Sequence, residues 1–217
     1  MKSIEEIWPQ FGLRITSGPL ELAAVRDDDI PGLVDLAERG VHAPDSMPFA
    51  FPWTDAPKTE LPRNMAVHYW RARAANSPER WSLALVVRRD SRVVGIQAFA
   101  TENYLVTRTG ETGSWLGLEH QGQGTGTLMR QTMCTFLFDH LDAEEITSAA
   151  FVDNPASGAV SRKVGYSLNG QTREKRRDSE MAISQRLVLR PPDLVRSPYP
   201  LEVGGLLALR RDMGLDG

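Results

Sequence analysis

The sequence predicts an α/β (α+β) domain with about seven strands, and three observations support this class. First, three strand-like runs follow one another between residues 81 and 118 with short connections, which indicates antiparallel neighbours. Second, amphipathic helix-like segments lie on both sides of these runs. Third, a glycine-rich run at 121–127 separates the last of these strands from a helix-like stretch, as in a strand–loop–helix unit.

The totals are those of a single-domain globular protein. The chain has 217 residues, of which 41% are apolar, so a sizeable core can form. A formal net charge of −3 gives no electrostatic reason to expect nucleic acid or an anionic membrane as partner. The single cysteine, Cys134, excludes an internal disulfide and has the apolar neighbours of a core residue. Glu5 and Glu6 near the start, and the lack of an apolar run of about 18 residues, predict a cytoplasmic protein without signal peptide or membrane span.

The first half of the chain is predicted to contain one strand and two helices. Asp27, Asp28 and Asp29 offer N-caps for the first helix, and Gly40 ends it. The loop that follows is rich in proline and aromatic residues and therefore cannot be helical. These elements are, in order, a lead-in at 1–19, a strand at 20–25, a helix at 30–39, the loop at 41–53 and a helix at 61–76.

The second half is predicted to contain the other strands and two more helices. A turn at Asp90 and Ser91 joins the first two strands, and Gly165 ends the second helix. Pro191 and Pro192 break the pattern, so the main domain is placed at 20–190 and a C-terminal extension at 191–217. The strands are expected at 81–89, 92–103, 111–118, 144–152, 166–173 and 181–189, and the helices at 127–140 and 156–164.

The glycine-rich run, Gln121-Gly122-Gln123-Gly124-Thr125-Gly126-Thr127, is the strongest functional signal in the chain. Glycines at alternate positions let the backbone turn sharply and approach a ligand closely. The first turn of the following helix leaves unpaired N–H groups with a partial positive charge, so the run predicts a phosphate-binding loop. An ATP- or GTP-binding P-loop would need a lysine after Gly126, where Thr127 stands, and this argues against a P-loop.

Two other cofactors fit the loop to different degrees. A dinucleotide-binding fingerprint needs a third glycine at Thr127 and a βαβ unit, whereas antiparallel strands precede this run. Glu144 does lie about 20 residues further on, as that fingerprint requires. A nucleotide-binding oxidoreductase therefore stays as an alternative, and coenzyme A is the other cofactor to consider.

Motifs in order along the chain are similar to those of the GCN5-related N-acetyltransferases, the GNAT family. The Gln-x-x-Gly-x-Gly pattern that starts at Gln121 resembles the family's acetyl-CoA pyrophosphate loop. The segments 154–157 and 163–166 are similar to its Asn-x-x-Ser motif and its Lys-x-Gly-Phe/Tyr ending. The segment 111–116 and the loop at 47–53 resemble the branch that includes the ribosomal-protein acetyltransferases RimJ and RimL. The resemblance covers 20–190, although Gln121 and Leu118 stand where arginine and proline are common.

This resemblance implies the GNAT fold, a twisted mixed sheet that is mostly antiparallel with helices on both faces. It implies direct transfer of an acetyl group from acetyl-CoA to a primary amine, with no metal. A non-catalytic acyl-CoA-binding protein of the same fold is the alternative. Because Asn and Ser also favour helix starts, N-capping is a second interpretation of two of the implied residues. The implied cofactor-binding residues are Leu116 and Leu118 through their main chain, Gln121, Gly122, Gln123, Gly124, Thr125, Gly126, Thr127, Asn154 and Ser157.

The implied reaction needs a proton donor for the departing thiolate and a base for the attacking amine. Ser157 is the first candidate donor, and Tyr166 is the second. Glu111 is the first candidate base because its strand lies beside the cofactor, and Glu102 and Glu119 are alternatives. Any of these carboxylates could instead be a solvated charge.

The acceptor side is less well defined by the sequence. In the family, the loop between the first two helices shapes the acceptor pocket, so Phe49, Phe51 and Trp53 are expected to form an apolar wall or a small cluster under that loop. A small-molecule amine and a peptide N-terminus both fit. The dispersed histidines predict no metal site, and the charge run at 173–178 predicts a solvated hairpin turn. The apolar stretch at 201–209 suggests a homodimer as one way to bury the extension.

Overall fold

Nine strands form one continuous sheet in the computed structural model, which describes residues 1–216. They are β1 (Arg14–Ser17), β2 (Leu20–Ala24), β3 (Arg80–Arg89), β4 (Arg92–Glu102), β5 (Thr109–Leu116), β6 (Glu145–Phe151), β7 (Ser167–Arg177), β8 (Glu180–Leu189) and β9 (Glu202–Gly204). Their order across the sheet is β7-β8-β6-β5-β4-β3-β2-β1-β9. All neighbouring pairs are antiparallel except β5 with β6, which confirms the predicted fold class.

The predicted count of about seven strands is wrong, because β1 and β9 escaped detection. These strands have only four and three residues, too few to show an alternating pattern. They pair with each other, so the lead-in and the C-terminal extension meet at one edge of the sheet. The domain boundaries at 20 and 190 stay a prediction.

Helices cover both faces of the sheet. They are α1 (Ile4–Ile7), α2 (Ile30–Glu38), α3 (Leu61–Ala74), α4 (Tyr104–Thr107), α5 (Thr125–His140), α6 (Pro155–Val164) and α7 (Leu206–Asp212). One buried cluster joins α5 and α6 to the sheet, and a second cluster joins α2 and α3 to the opposite face. Successive residues of a strand point to opposite faces, so Leu116 of β5 packs in the α5 cluster and Trp115 packs against the α2–α3 cluster.

The apolar stretch of the C-terminal extension packs on its own chain. Leu209 is completely buried, Met213 is buried too, and both belong to the α5 cluster. The start of the extension is held to α5 by Arg196, whose guanidinium donates two hydrogen bonds of 2.6 and 2.8 Å to Asp139. Burial of this stretch therefore needs no second copy, and a homodimer stays a prediction without this route.

The charge run at 173–178 leads into the β7–β8 turn, but two of its arginines are more than solvated charges. Arg176 donates hydrogen bonds of 2.9 and 2.7 Å to Asp153, which lies just before α6. Arg177 donates hydrogen bonds of 2.7 and 3.1 Å to Asp55, which follows the proline-rich loop. These pairs connect the hairpin to the segment before α6 and to the end of the proline-rich loop. Across residues 1–216, no helix is both long and apolar enough to cross a membrane.

Candidate active site

The sheet opens between β5 and β6. Their parallel ladder ends at the pair Thr112 and Ser148. Beyond it, the last four residues of β5 pair only with β4, and the last three residues of β6 pair only with β8. Gly113, the first residue past the ladder, is exposed although its strand is central, and a Cβ built on it would meet no atom within 4 Å. The facing edges of the two strands thus leave unpaired backbone groups beside an accessible gap.

A buried arginine joins the two strands where they separate. Arg130 of α5 is only 4% exposed, and it donates hydrogen bonds of 2.9 Å to Ser114 of β5 and 3.1 Å to Ser148 of β6. Its Nε has no partner, and no carboxylate pairs with the guanidinium in the part of the chain that the structure describes. A positive charge is therefore held at the apex of the opening by two hydroxyl groups and by the Tyr166 ring, whose centroid lies 6.0 Å from the guanidinium carbon, and its burial costs desolvation energy.

Tyr166 and Cys134 lie beneath the same apex and are too deeply buried to act as acids or nucleophiles. The Tyr166 hydroxyl is hydrogen-bonded to Thr112 Oγ1 at 3.0 Å and to Cys134 Sγ at 3.4 Å. Burial raises the pKa of the Tyr166 hydroxyl far above its usual range. Burial also raises the pKa of the Cys134 thiol to about 11. Cys134 is thus the core residue that its sequence context predicts.

The glycine-rich loop joins the end of β5 to the start of α5. Gly122 and Gly124 have φ angles of +72° and +79°, which an L side chain rarely adopts, and a Cβ on either would project into open space. Gly124 is the N-cap of α5 and provides no side-chain cap. Within residues 1–216, the amide groups of 122–127 donate no hydrogen bonds, so they remain available to an anion.

Two side chains fix the shape of the loop, one from its first residue and one from β3. Gln121 donates from Nε2 to the carbonyl oxygens of Val41 at 2.7 Å and Leu116 at 3.0 Å, which ties the loop to the start of the proline-rich loop and to β5. Arg89, at the end of β3, donates to the Gln123 carbonyl at 3.2 Å and to Thr125 Oγ1 at 2.6 Å. Arg89 is not among the residues predicted for the site, because nothing local in the sequence marks its approach to a loop more than 30 residues away.

The two leucines expected to offer main-chain groups differ. Leu116 is a buried core residue at the end of β5. Leu118 lies in a 3-10 turn after the strand, its side chain is 47% exposed, and its amide already donates to the Gly40 carbonyl at 2.9 Å. Leu118 therefore offers no free amide group to a cofactor, because the chain leaves the sheet two residues earlier than predicted.

Asn154 and Ser157 open α6 beside the gap. Asn154 is the N-cap, and its Oδ1 accepts a hydrogen bond of 3.1 Å from the Ser157 amide, which is the capping interpretation. The Ser157 hydroxyl makes no hydrogen bond to the described chain and is half-buried, so it is free to donate a proton. The cap thus orients the first turn of α6, with Ser157 at its surface.

Each candidate base is ion-paired. Glu111 accepts a hydrogen bond of 2.6 Å from Arg186, Glu102 pairs with Arg80 at 2.6 Å, and Glu119 pairs with Arg39 at 3.0 Å. Glu111 belongs to the paired part of β5, on the same face as Gly113 and two residues before it. It is therefore the candidate that lies next to the opening.

The aromatic wall on the α2–α3 face has a different membership from the predicted one. Phe49 and Trp53 have ring centroids 5.2 Å apart, and Trp53 lies 5.5 Å from Trp115 of β5. All three side chains are partly buried against the α2–α3 cluster. Phe51 is 77% exposed and takes no part, because its side chain projects from the loop into solvent. Trp115 takes the third place in the wall, although no pattern near it in the sequence predicts this role.

The glycine-rich loop with its free amide groups, which the sequence resemblance assigns to the cofactor pyrophosphate, follows the strand that borders the opening in the sheet. A model of the family described as "Acetyltransferase (GNAT) domain" matches residues 20–167. The chain therefore belongs to the GNAT family, which confirms the predicted family and the predicted class of enzyme. Within residues 1–216, no group of three or more His, Cys, Asp or Glu side chains could hold a metal ion.

Individual relatives agree with the family match. The chain is 30% identical over 69 residues to the putative ribosomal N-acetyltransferase YdaF of Bacillus subtilis, a match that spans 32% of this chain and 38% of that protein. RimJ of Mycobacterium smegmatis, solved with CoA-disulfide, superposes with a TM-score of 0.69 at 16% identity, over 94% of this chain and 95% of that one.

The spermidine N-acetyltransferase of Vibrio cholerae, solved with CoA and spermine, superposes with a TM-score of 0.64 at 17% identity, over 81% of this chain and 98% of that one. At these identities, the likeness to solved structures shows the fold alone.

Proposed function

We propose that the protein is an acetyl-CoA-dependent N-acetyltransferase that modifies a primary amine, either a protein N-terminus or a small-molecule amine. The observation that carries this proposal is the pair formed by the β5–β6 opening and the adjacent loop of free amide groups. The loop fits a pyrophosphate, because two glycines with positive φ leave its surface open and no side chain caps α5.

Different backbone groups of the chain bind different parts of the cofactor in the proposed reaction. Acetyl-CoA would supply an acetyl group activated as a thioester. Amides of 122–127 hold the pyrophosphate, and the unpaired edge of β5 from Gly113 to Leu116 provides backbone donors beside the gap. One well-placed donor of this kind is worth about 2.7–4 kcal/mol in a transition state.

Proton transfers fall to two side chains in this proposal. Glu111 accepts the proton of the incoming ammonium group at a carboxylate oxygen, directly or through water. Ser157 donates its hydroxyl proton to the departing thiolate. Glu111 lies on β5, two residues before the opening, and Ser157 lies in the first turn of α6, which follows β6.

The charges around the acceptor side favour a singly charged amine over a polyamine. Near the opening, the carboxylates of Glu111, Asp153 and Asp55 are all paired with arginines. A polyamine would need free carboxylates for its other ammonium groups. The name of the YdaF relative, which refers to ribosomal proteins, adds support for a peptide N-terminus. The single cysteine and the cofactor are consistent with a cytoplasmic reaction.

A non-catalytic acyl-CoA-binding protein is the second candidate, and the ion pairing of every candidate base favours it. Two measurements separate the possibilities. Calorimetry with acetyl-CoA, CoA and NAD tests the cofactor, and binding of NAD without acetyl-CoA would overturn the proposal. Thiol release from acetyl-CoA across a panel of amines and N-terminal peptides tests catalysis. Tight acetyl-CoA binding with no release above the rate without enzyme would favour the binding protein.

A further inference from the structure

We propose that Arg89 is a cofactor-binding residue, which supplies the positive charge that the glycine-rich loop lacks and contacts the pyrophosphate of the cofactor. This inference rests on the proposed function and adds a residue to its site. Arg89 lies on β3, outside every motif that the sequence analysis connects with the cofactor.

The loop has no cation of its own. Between 119 and 127 the ionisable residues are Glu119 and His120, and Gln121 stands where arginine is common in the family. Gln121 cannot replace that arginine, since its amide already donates to two carbonyl oxygens. A pyrophosphate at this loop would meet free amides but no charged side chain from the loop itself.

The β3–β4 hairpin brings Arg89 to the loop. Asp90 and Ser91 have φ angles of +49° and +66°, as a tight two-residue hairpin turn requires, and Arg89 is the last residue of β3 before that turn. Both hydrogen bonds of Arg89 come from Nη1, to Gln123 O and to Thr125 Oγ1. These bonds hold the guanidinium beside the Gln123 carbonyl and the Thr125 side chain, both within the glycine-rich loop.

The rest of the guanidinium group is available for an anion. A guanidinium carries five N–H donors in a planar fork that suits phosphate oxygens. In the described residues, Nη2 of Arg89 donates no hydrogen bond, and Nε lies 4.0 Å from the exposed Asp90 carboxylate, too far for a hydrogen bond. The side chain is 33% exposed, so it is anchored by one nitrogen and accessible at the others.

The charge of Arg89 also determines the sign of the electrostatic potential at the glycine-rich loop. The Glu119 carboxylate is paired with Arg39 at 3.0 Å, which cancels that charge locally. Arg89 then stands as a cation next to the positive end of the α5 dipole. Because charge-assisted hydrogen bonds to phosphate are stronger than neutral ones, loss of Arg89 should weaken phosphate binding without disturbing the acceptor side.

Calorimetric titration with CoA tests the proposal on the full chain. Arg89→Met should bind CoA about tenfold more weakly than the wild type, which is the lower end for a charge-assisted hydrogen bond because the site is partly exposed. Arg89→Lys should recover part of the loss. The matched control is Arg92→Met, on the opposite strand of the same hairpin, whose exposed arginine makes no hydrogen bond to the loop; it should bind CoA as the wild type does.

Two ligands test whether the effect is located at the pyrophosphate, and the salt dependence separates the charge of Arg89 from its support of the loop's shape. Dephospho-CoA, which keeps the pyrophosphate, should lose the same factor as CoA; a loss seen with CoA alone would overturn the pyrophosphate assignment. S-acetylpantetheine, which has no phosphate, should bind wild type and Arg89→Met equally. The difference between the two proteins should shrink at high salt. If Arg89→Met does not fold, Arg89→Gln removes the same charge.

The outcomes for this inference and for the proposed function are distinct. CoA affinity within twofold of the wild type in Arg89→Met, or an equal loss in Arg92→Met, overturns the role of Arg89 alone. A wild-type protein that binds neither CoA nor acetyl-CoA overturns the proposed function.

Discussion

Gly124 and Gly126 differ in backbone conformation, although the sequence motif treats them alike. Gly124 has a φ of +79° and faces open space, whereas Gly126 lies inside α5, where a Cβ would be 3.5 Å from Val160 and 3.6 Å from Leu116. We expect Gly124→Ala to reduce CoA affinity about tenfold or more, since its Cβ would strain the turn and enter the space above the loop.

Gly126→Ala is the matched control for Gly124→Ala. Its Cβ makes only ordinary contacts, and alanine favours a helix over glycine by about 0.5–1 kcal/mol. It should therefore raise the free energy of unfolding in urea denaturation. A larger loss of CoA affinity in Gly126→Ala than in Gly124→Ala would contradict the assignment of Gly124 to the ligand-facing surface.

The Cys134 thiol should be chemically inert in the folded protein. Its folded pKa of about 11 lies above its usual value of 9.0, because burial penalises the thiolate. Below about pH 9 the thiol is protonated in both the folded and the unfolded chain, so the raised pKa does not affect stability. As pH rises from about 9 to about 11, only the unfolded chain ionises at Cys134, and the free energy of unfolding falls. At pH 8, alkylation followed by mass spectrometry should label the native protein far more slowly than the protein in urea. Equal labelling rates would show that the α5 core opens readily.

Among the elements of the fold, the helix of the C-terminal extension, α7, contributes residues to the core. Leu209 of α7 is completely buried, while Leu207, two residues earlier, is 67% exposed. We expect Leu209→Ala to lower the free energy of unfolding by about 2–4 kcal/mol, as a buried leucine truncation does. Leu207→Ala, its control, should change that free energy by about 0.5 kcal/mol or less. Similar values for both variants would mean that α7 does not dock as the structure describes.

Elements whose signals are local could be predicted from the sequence, and those fixed by distant partners could not. The strand, glycine turn and helix at β5–α5 follow from neighbouring residues, and their bounds differ from the prediction by two residues at each of three ends. The only strand partner of β9 in the described residues is β1, almost the whole chain away, and β1 itself pairs with both β2 and β9. Arg89 and Arg130 were missed for the same reason, since their partners lie on other elements.

At the scale of the whole molecule, the sheet separates two sides of the proposed reaction. The glycine-rich loop, α5 and α6 lie on one side, where the free amides of 122–127 are found. The wall of Phe49, Trp53 and Trp115 lies on the α2–α3 side. In this proposal, the amine and the thioester meet at the opening beside Gly113. A change on one side should therefore affect one substrate and leave the other almost untouched.

Trp53→Ala tests this separation directly. Trp53 contacts both other rings of the wall, so its truncation should raise the KM for the amine acceptor by about tenfold or more, as for aromatic residues at binding surfaces. The Kd for CoA, measured by calorimetry, should stay within twofold of the wild type and reports that the fold is intact. Phe51→Ala is the control, because its ring is 77% exposed and should leave both constants unchanged. An increase in the CoA Kd that matches the increase in acceptor KM would show that the two sides are coupled, and the Gln121 amide that joins Val41 to Leu116 would be the contact to examine first.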